Sequence, residues 1–365
     1  MEIQKNLELA PHTTFFIGGP AKFFCVAQTV EDIKQALIFA KQEEIPIFVL
    51  GGGSNVLVSD QGFEGLVVKP DLKGIDLVDE VTDLVVLQIG SGEVWDKVVE
   101  LAVKNSWWGI ENLSHIPGNM GAFAVQNVGA YGQEASQVVS QVEALDINTL
   151  EIKRFGNTLS GQKPITDCEF TYRHSIFNTS QKGNYIILST SIILSKVPKP
   201  NLQYGDVREY FSTKAIGNPS QGQIRQAIIE IRNTKFPFPT EAVGGNAGSF
   251  FRGPIITKEQ LDLVGQIIKK RFGDEAAKKL DDMKDRLQVP QGFKTPTAFL
   301  LDLAGLKAHQ IGGAQINPPQ PAIVLNATGT ASAQDVIELR DYVLDRIFKL
   351  FGIELEVEPE LVNLK

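Results

Sequence analysis

Much that would mark a specialised chain is missing from this sequence. Only two cysteines, Cys25 and Cys168, occur in 365 residues. They lie far apart, which argues against a disulfide framework and fits a reducing compartment. Histidine is nearly as scarce, at His12, His115, His174 and His309, and no His, Cys or carboxylate group has metal-ligand spacing, so no metal is expected. No uncharged apolar run approaches the ~20 residues of a membrane helix. Met1 to Ala10 carries Glu2, Lys5 and Glu8 without an apolar stretch, unlike a signal peptide, and a cytoplasmic location is expected. The 35 basic and 43 acidic residues give a net charge of −8 with no basic run, which argues against nucleic-acid and membrane-surface binding. The nucleophile elbow G-x-S-x-G is absent, as are repeats and low-complexity segments.

What is present is a 43% hydrophobic chain, long enough for two or three domains. A strand at 23–26, a helix opened by Thr29 and Asp32, and strands at 47–50 and 65–69 form a first βαββ unit over residues 1–69. A second unit, 70–222, is expected to hold strands near 84–90, 138–147, 150–155, 166–172 and 185–194, a helix near 93–105, and a loop containing Tyr204-Gly205-Asp206-Val207. A third, 223–352, begins on a helix with Ile224, Ala227, Ile228 and Ile231 on one face. Thr257 with Gln260, and Ser332 with Asp335, make capping boxes before helices that end at Gly273 and Gly352. A short strand at 353–357 leads into a tail, so residues 353–365 form a separate C-terminal segment.

Three glycine loops punctuate this pattern. Gly51-Gly52-Gly53-Ser54-Asn55 follows the apolar strand Ile47-Phe48-Val49-Leu50, and a β-branched segment, Val56-Leu57-Val58, comes next instead of a helix. Strand, glycine turn, strand departs from the Rossmann order and suggests a phosphate cradle on an α+β flavin-type domain, with a plain hairpin as the alternative. Residues 114–132 contain four glycines, one proline and no Asp, Glu, Lys or Arg. Such a stretch suits close backbone approach to a large, partly apolar ligand, or else a buried irregular crossing. In the third loop, Gly244 to Arg252, Ser249 has no evident activating base. It is better suited to donating a proton than to attacking carbon, unless it only caps a turn. The stretch Gly156 to Lys163 nearly spells a P-loop, but Gln162 stands where the lysine must be and Pro164 follows Lys163.

Read together, G-G-G-S-N-V-L (51–57), I-P-G-N-M-G-A…Q-N-V-G-A-Y-G (116–132), Y-R-H-S-I-F (172–177), G-N-A-G-S-F-F (245–251) and E-P-E (358–360) resemble the UDP-N-acetylenolpyruvoylglucosamine reductase family. The motifs run in the family's order over nearly the whole chain. The resemblance implies an α+β fold: an FAD-binding fold of the vanillyl-alcohol-oxidase/PCMH type, made of two α+β subdomains, plus a C-terminal α+β substrate-binding domain. It implies FAD as cofactor, NADPH as transient reductant, and the enolpyruvyl ether of UDP-N-acetylglucosamine as substrate, handled ping-pong by a monomer.

By the same resemblance, FAD would lie on Gly51, Gly52, Gly53, Ser54 and Asn55, with Ser114, Ile116, Pro117, Gly118, Gly121, Gln126, Asn127, Gly129, Ala130, Tyr131 and Gly132. Ser249 would protonate carbon, Arg173 would hold the carboxylate or enolate oxygens, and Glu360 would orient or protonate that centre. Tyr204 would close over the nucleotide, Lys235 would bind the diphosphate, and Lys307 and Gln320 would add polar contacts. Two positions depart from the pattern. Gly253 stands where many relatives have a substrate-contacting Asn, and Phe123 is bulkier than usual and is expected to tighten or reshape the flavin loop. The rival readings are another flavoenzyme of the same fold, which needs no combination of Ser249, Arg173 and Glu360, and a non-catalytic nucleotide-sugar-binding protein.

Overall fold

The computed structural model describes residues 1–156, 165–289 and 291–364. They divide into two compact units: residues 1–7, 21–52 and 63–233 in the first, and 8–20, 53–62 and 234–365 in the second.

The first unit holds two sheets. The smaller has the strand order Gln4–Glu8, Pro20–Ala27, Phe63–Pro70, Ile47–Val49. Its last three strands are parallel, with Phe23 and Ile47 both opposite Leu66. Parallel strands need a crossover, and the helix Val30–Gln42 supplies it, buried through Ile33, Ala36, Leu37 and Ala40. Thr29 and Asp32 close the expected capping box at its start. The larger sheet is antiparallel in the order Ile152–Gly156, Val139–Asp146, Tyr185–Ser195, Leu84–Gly90, Ile75–Glu80. The helix Trp95–Lys104 packs into the same core as this sheet through Trp95, Val98, Val99 and Ala102.

Two local expectations are corrected in this unit. Residues 166–172 form turns instead of a strand, leaving only an isolated bridge between Thr171 and His174. Arg173 sits in that turn at φ 64°, a left-handed conformation that a strand could not accommodate. The Tyr204 segment is helical over Gly205–Thr213, with Tyr204 as N-cap, because Val207 and Phe211, four apart, bury one face against the Gln221–Lys235 helix. Phe123 turns into the core and stacks on Trp95 at 4.0 Å and 15°. The P-loop-like residues 157–163 lie outside the described residues.

The second unit is built on the helices Lys258–Phe272 and Ala333–Phe351, each opened by its capping box and stopped at Gly273 and Gly352. Their buried faces (Leu261, Val264 and Ile268; Val336, Leu339, Val343 and Ile347) share a core with Phe15, Leu57, Phe250 and Phe251. The C-terminal segment is woven into this unit. Phe251–Arg252 pairs antiparallel with Glu356–Val357, shorter than the expected 353–357 strand, and Glu360–Val362 runs parallel to Val56–Val58.

Candidate functional site

In the first unit two of the glycine loops meet backbone to backbone. A Cβ added at Gly52 would lie 2.6 Å from Gly118 Cα and 3.1 Å from the Asn119 nitrogen, so this approach requires glycine. The N–H groups of Gly51, Gly52, Gly118 and Asn119 find no hydrogen-bond acceptor among the described residues. Backbone N–H groups gathered on a glycine turn are a common way to bind an anion. Gly121 packs its backbone on Ser91, where a Cβ would come within 2.9 Å.

The rest of the second loop is tied down by buried polar side chains. Ser114, fully buried, donates to the Glu111 carbonyl at 2.6 Å. Asn127, also buried, donates to the Thr171 carbonyl (2.9 Å) and Glu134 (3.1 Å) and accepts from the Ser136 N–H. Its side chain therefore joins the flavin loop to the turn carrying Arg173. Gly129 extends that link, since a Cβ there would meet an Arg173 guanidinium nitrogen at 3.2 Å. Ala130 pairs with Gln133, and Tyr131 (φ 49°) and Gly132 (φ 86°) make the tight turn between them. Tyr131 is buried, which pushes its hydroxyl up to about 12 although Arg232 hydrogen-bonds it. Tyr204 meets the Tyr131 ring edge-on at 5.3 Å.

Asp96 is a supporting residue that the sequence did not disclose. It receives a bidentate pair from Arg225 at 2.7 and 2.8 Å and the His115 N–H at 2.6 Å. Burial works against its ionised form, but these donors prevail and hold the carboxyl below its ordinary value. The His115 ring contacts Asn233 at 3.2 Å. Burial, then the Arg232 charge, lowers its pKa. No local pattern in the sequence marked Arg225 as the partner of Asp96, because the two lie 129 residues apart.

Gly53, Ser54, Asn55, Lys235, Ser249, Lys307, Gln320 and Glu360 belong to the second unit, whereas Ile116, Pro117 and Gln126 lie in the first. Gly53 takes φ 66°, and its carbonyl accepts from the Thr14 N–H at 2.9 Å. The Thr14 hydroxyl donates to the Asn246 carbonyl at 2.7 Å, linking the first glycine turn to the serine loop. Ser249 is exposed and bridges Ile323, whose N–H donates to the Gln320 carbonyl. Lys235 is half-buried, with its carbonyl accepting from Asn317. Lys307 is exposed and paired with Asp302 at 2.7 Å. Exposed Glu360 donates its N–H to the Asn55 carbonyl (2.9 Å), and Asn55 Nδ2 reaches the Glu358 carbonyl (3.4 Å). The structure thus brings Ser54-Asn55 and the Glu358–Glu360 tail together in one unit, and the Arg173 turn and the flavin loop together in the other. At Gly253 a Cβ would collide with the Thr295 side chain, so no Asn can stand there with Thr295 in place.

Both cysteines are free and buried, which pushes Cys25 up to about 11 and Cys168 to about 12 and leaves them unreactive thiols. Among the described residues no group of His, Cys, Asp or Glu could hold a metal ion, and no helix is long and apolar enough to cross a membrane.

Known proteins resemble the chain along its whole length. Residues 21–155 match the FAD binding domain family, and residues 238–362 match the family described as the UDP-N-acetylenolpyruvoylglucosamine reductase C-terminal domain. A reductase of that name from Flavobacterium johnsoniae is 34% identical over 99% of this chain and all of its own. One from Vibrio cholerae is 34% identical over all of this chain and 96% of its own. Among solved structures, the UDP-N-acetylenolpyruvylglucosamine reductase of Thermus caldophilus superposes with a TM-score of 0.63 at 21% identity, over 99% of this chain and 98% of its own. The 6-hydroxy-D-nicotine oxidase of Arthrobacter nicotinovorans superposes with a TM-score of 0.51 at 12% identity, over 97% and 86%.

Proposed function

The chain belongs to the UDP-N-acetylenolpyruvoylglucosamine reductase family, and from that premise we propose how its own residues divide the reaction. The fold is α+β, an FAD-binding fold of the vanillyl-alcohol-oxidase type joined to the reductase C-terminal domain. The protein is an FAD- and NADPH-dependent oxidoreductase that reduces the enolpyruvyl ether of UDP-N-acetylglucosamine to UDP-N-acetylmuramate, a peptidoglycan precursor. Bound FAD supplies the two-electron carrier between NADPH and the terminal vinyl carbon of the substrate.

The N–H groups of Gly51, Gly52, Gly118 and Asn119 hold the FAD diphosphate, and their want of any acceptor among the described residues is the observation that carries this assignment. Gly53, Ser54, Asn55, Gln126 and the backbone of 129–132 line the remainder of the cofactor. Hydride arriving at the vinyl carbon leaves negative charge next to the substrate carboxylate. Arg173, a planar and permanently charged fork, holds those oxygens. Ser249 delivers the proton to carbon, and Glu360 orients or supplies that proton. Tyr204, Lys235, Lys307 and Gln320 hold the nucleotide. The enzyme works as a cytoplasmic monomer. Anaerobic single-turnover kinetics test the division: in Ser249→Ala, NADPH should reduce the flavin at nearly the wild-type rate while substrate reoxidises it slowly. If both steps slow equally, Ser249 is structural.

A further inference from the structure

Tyr204 begins a helix, and what fixes that helix start is a buried amide far back in the sequence, at Asn112. Asn112 is fully buried on the turn Glu111–Leu113. Its single side-chain NH2 group donates twice, to the carbonyls of Tyr131 and Asn201, each at 2.8 Å. Its backbone N–H donates to Gln133 Oε1 at 2.8 Å. Asn201 completes the ring: its Nδ2 donates to the Gly132 carbonyl at 2.9 Å, and its Oδ1 accepts from the Gln203 N–H at 3.3 Å. Two amides therefore clamp the tip of the flavin loop, Tyr131-Gly132, to the strand of chain that ends on Tyr204. The geometry leaves little slack. A Cβ at Gly132 would lie 3.1 Å from Asn201 Nδ2, and Gly132 itself sits at φ 86°. Tyr204 rests edge-on against Tyr131 while remaining 45% exposed.

We infer that Asn112 and Asn201 are positioning residues that set the height of Tyr204 over the flavin loop, and so the affinity for the nucleotide end of the substrate. The inference rests on the reductase reading only in taking Tyr204 as a nucleotide contact. Neither amide touches the reacting atoms. Each acts through the carbonyls it holds, and a Tyr204 that swings free must be ordered anew at every binding event.

The test uses purified holoenzyme with the half-buried Asn201, whose removal spares the core. Asn201→Ala should keep its flavin content and its rate of reduction by NADPH, and raise KM for the enolpyruvyl nucleotide about tenfold with kcat changed less, the equivalent of about 1.4 kcal/mol. Asn201→Gln, which retains the amide, should recover part of that loss. Asn112→Ser, which shortens the buried donor, should move KM in the same direction. An unchanged KM in Asn201→Ala overturns the inference. So does a parallel fall in flavin content, flavin reduction and substrate turnover, which would make Asn201 merely structural. Failure of the wild-type enzyme to turn over the enolpyruvyl nucleotide would instead strike the reductase reading, and the two failures are told apart by that control.

Discussion

The three glycines of the first loop should respond differently to the same added methyl group. At Gly51 a Cβ would meet only the Ala122 Cβ at 3.8 Å, an ordinary contact, and Gly51→Ala should bind FAD normally. At Gly52 it would meet Gly118 Cα at 2.6 Å and the carbonyl carbon at 3.0 Å. These are backbone atoms, so the two loops must part by about 1 Å, and overpacking of this kind costs about 1–3 kcal/mol, or about 5- to 150-fold in flavin affinity. At Gly53 the residue sits at φ 66° and the Cβ would strike the His12 carbonyl oxygen, with Thr13 Cα at 2.7 Å. Left-handed backbone costs a non-glycine residue about 1–2 kcal/mol. Displacing 12–14 also endangers the Thr14 bonds to Gly53 and Asn246, worth about 1 kcal/mol each. Gly53→Ala should therefore lose stability as well as flavin, and Gly53→Val more so. The ratio of flavin to protein absorbance after purification, with a thermal melt of each variant, reads both effects. Equal flavin content in Gly51→Ala and Gly52→Ala would refute the cradle.

Other consequences can be checked alongside. Ser249→Ala should slow flavin reoxidation by substrate about 10²–10⁴-fold, the usual loss for a general acid, with flavin reduction spared. Glu360→Gln should cripple the same step while Glu358→Gln stays mild, and near-normal turnover in Glu360→Gln would remove that residue from the mechanism. Point variants serve better than truncation, because Glu360–Val362 pairs with Val56–Val58 and Val362 is buried, so a cut tail should also destabilise the fold. Asp96 has a depressed folded-state pKa, so its pairing with Arg225 contributes above the unfolded value of about 3.9 and is lost as pH falls through the folded value. Asp96→Asn should accordingly melt below the wild type at pH 7, and the gap should close on acidification. A constant gap would contradict the sign.

Helix starts were plain in the sequence because a capping box is local: Thr29 with Asp32, Thr257 with Gln260 and Ser332 with Asp335 each close within one turn. Gly53 and Gly132 were legible for a similar reason, since each takes a left-handed φ, 66° and 86°, at its own position. Residues 166–172 misled because their β-forming residues serve a turn held from outside, where Asn127 takes the Thr171 carbonyl. The helix after Tyr204 was hidden by its glycine start and by an apolar face of only two residues, Val207 and Phe211. No periodicity could show that Glu360–Val362 lies beside Val56–Val58, or that Arg225 grips Asp96, because such partners are far apart in sequence.

The most direct test of the account is an anaerobic double-mixing experiment on the protein as purified. It should come off the column yellow, bleach on mixing with NADPH, and regain its colour on a second mixing with the enolpyruvyl nucleotide, yielding the lactyl ether. A protein that binds FAD and is bleached by NADPH, yet is not reoxidised by that substrate in the absence of oxygen, would contradict it.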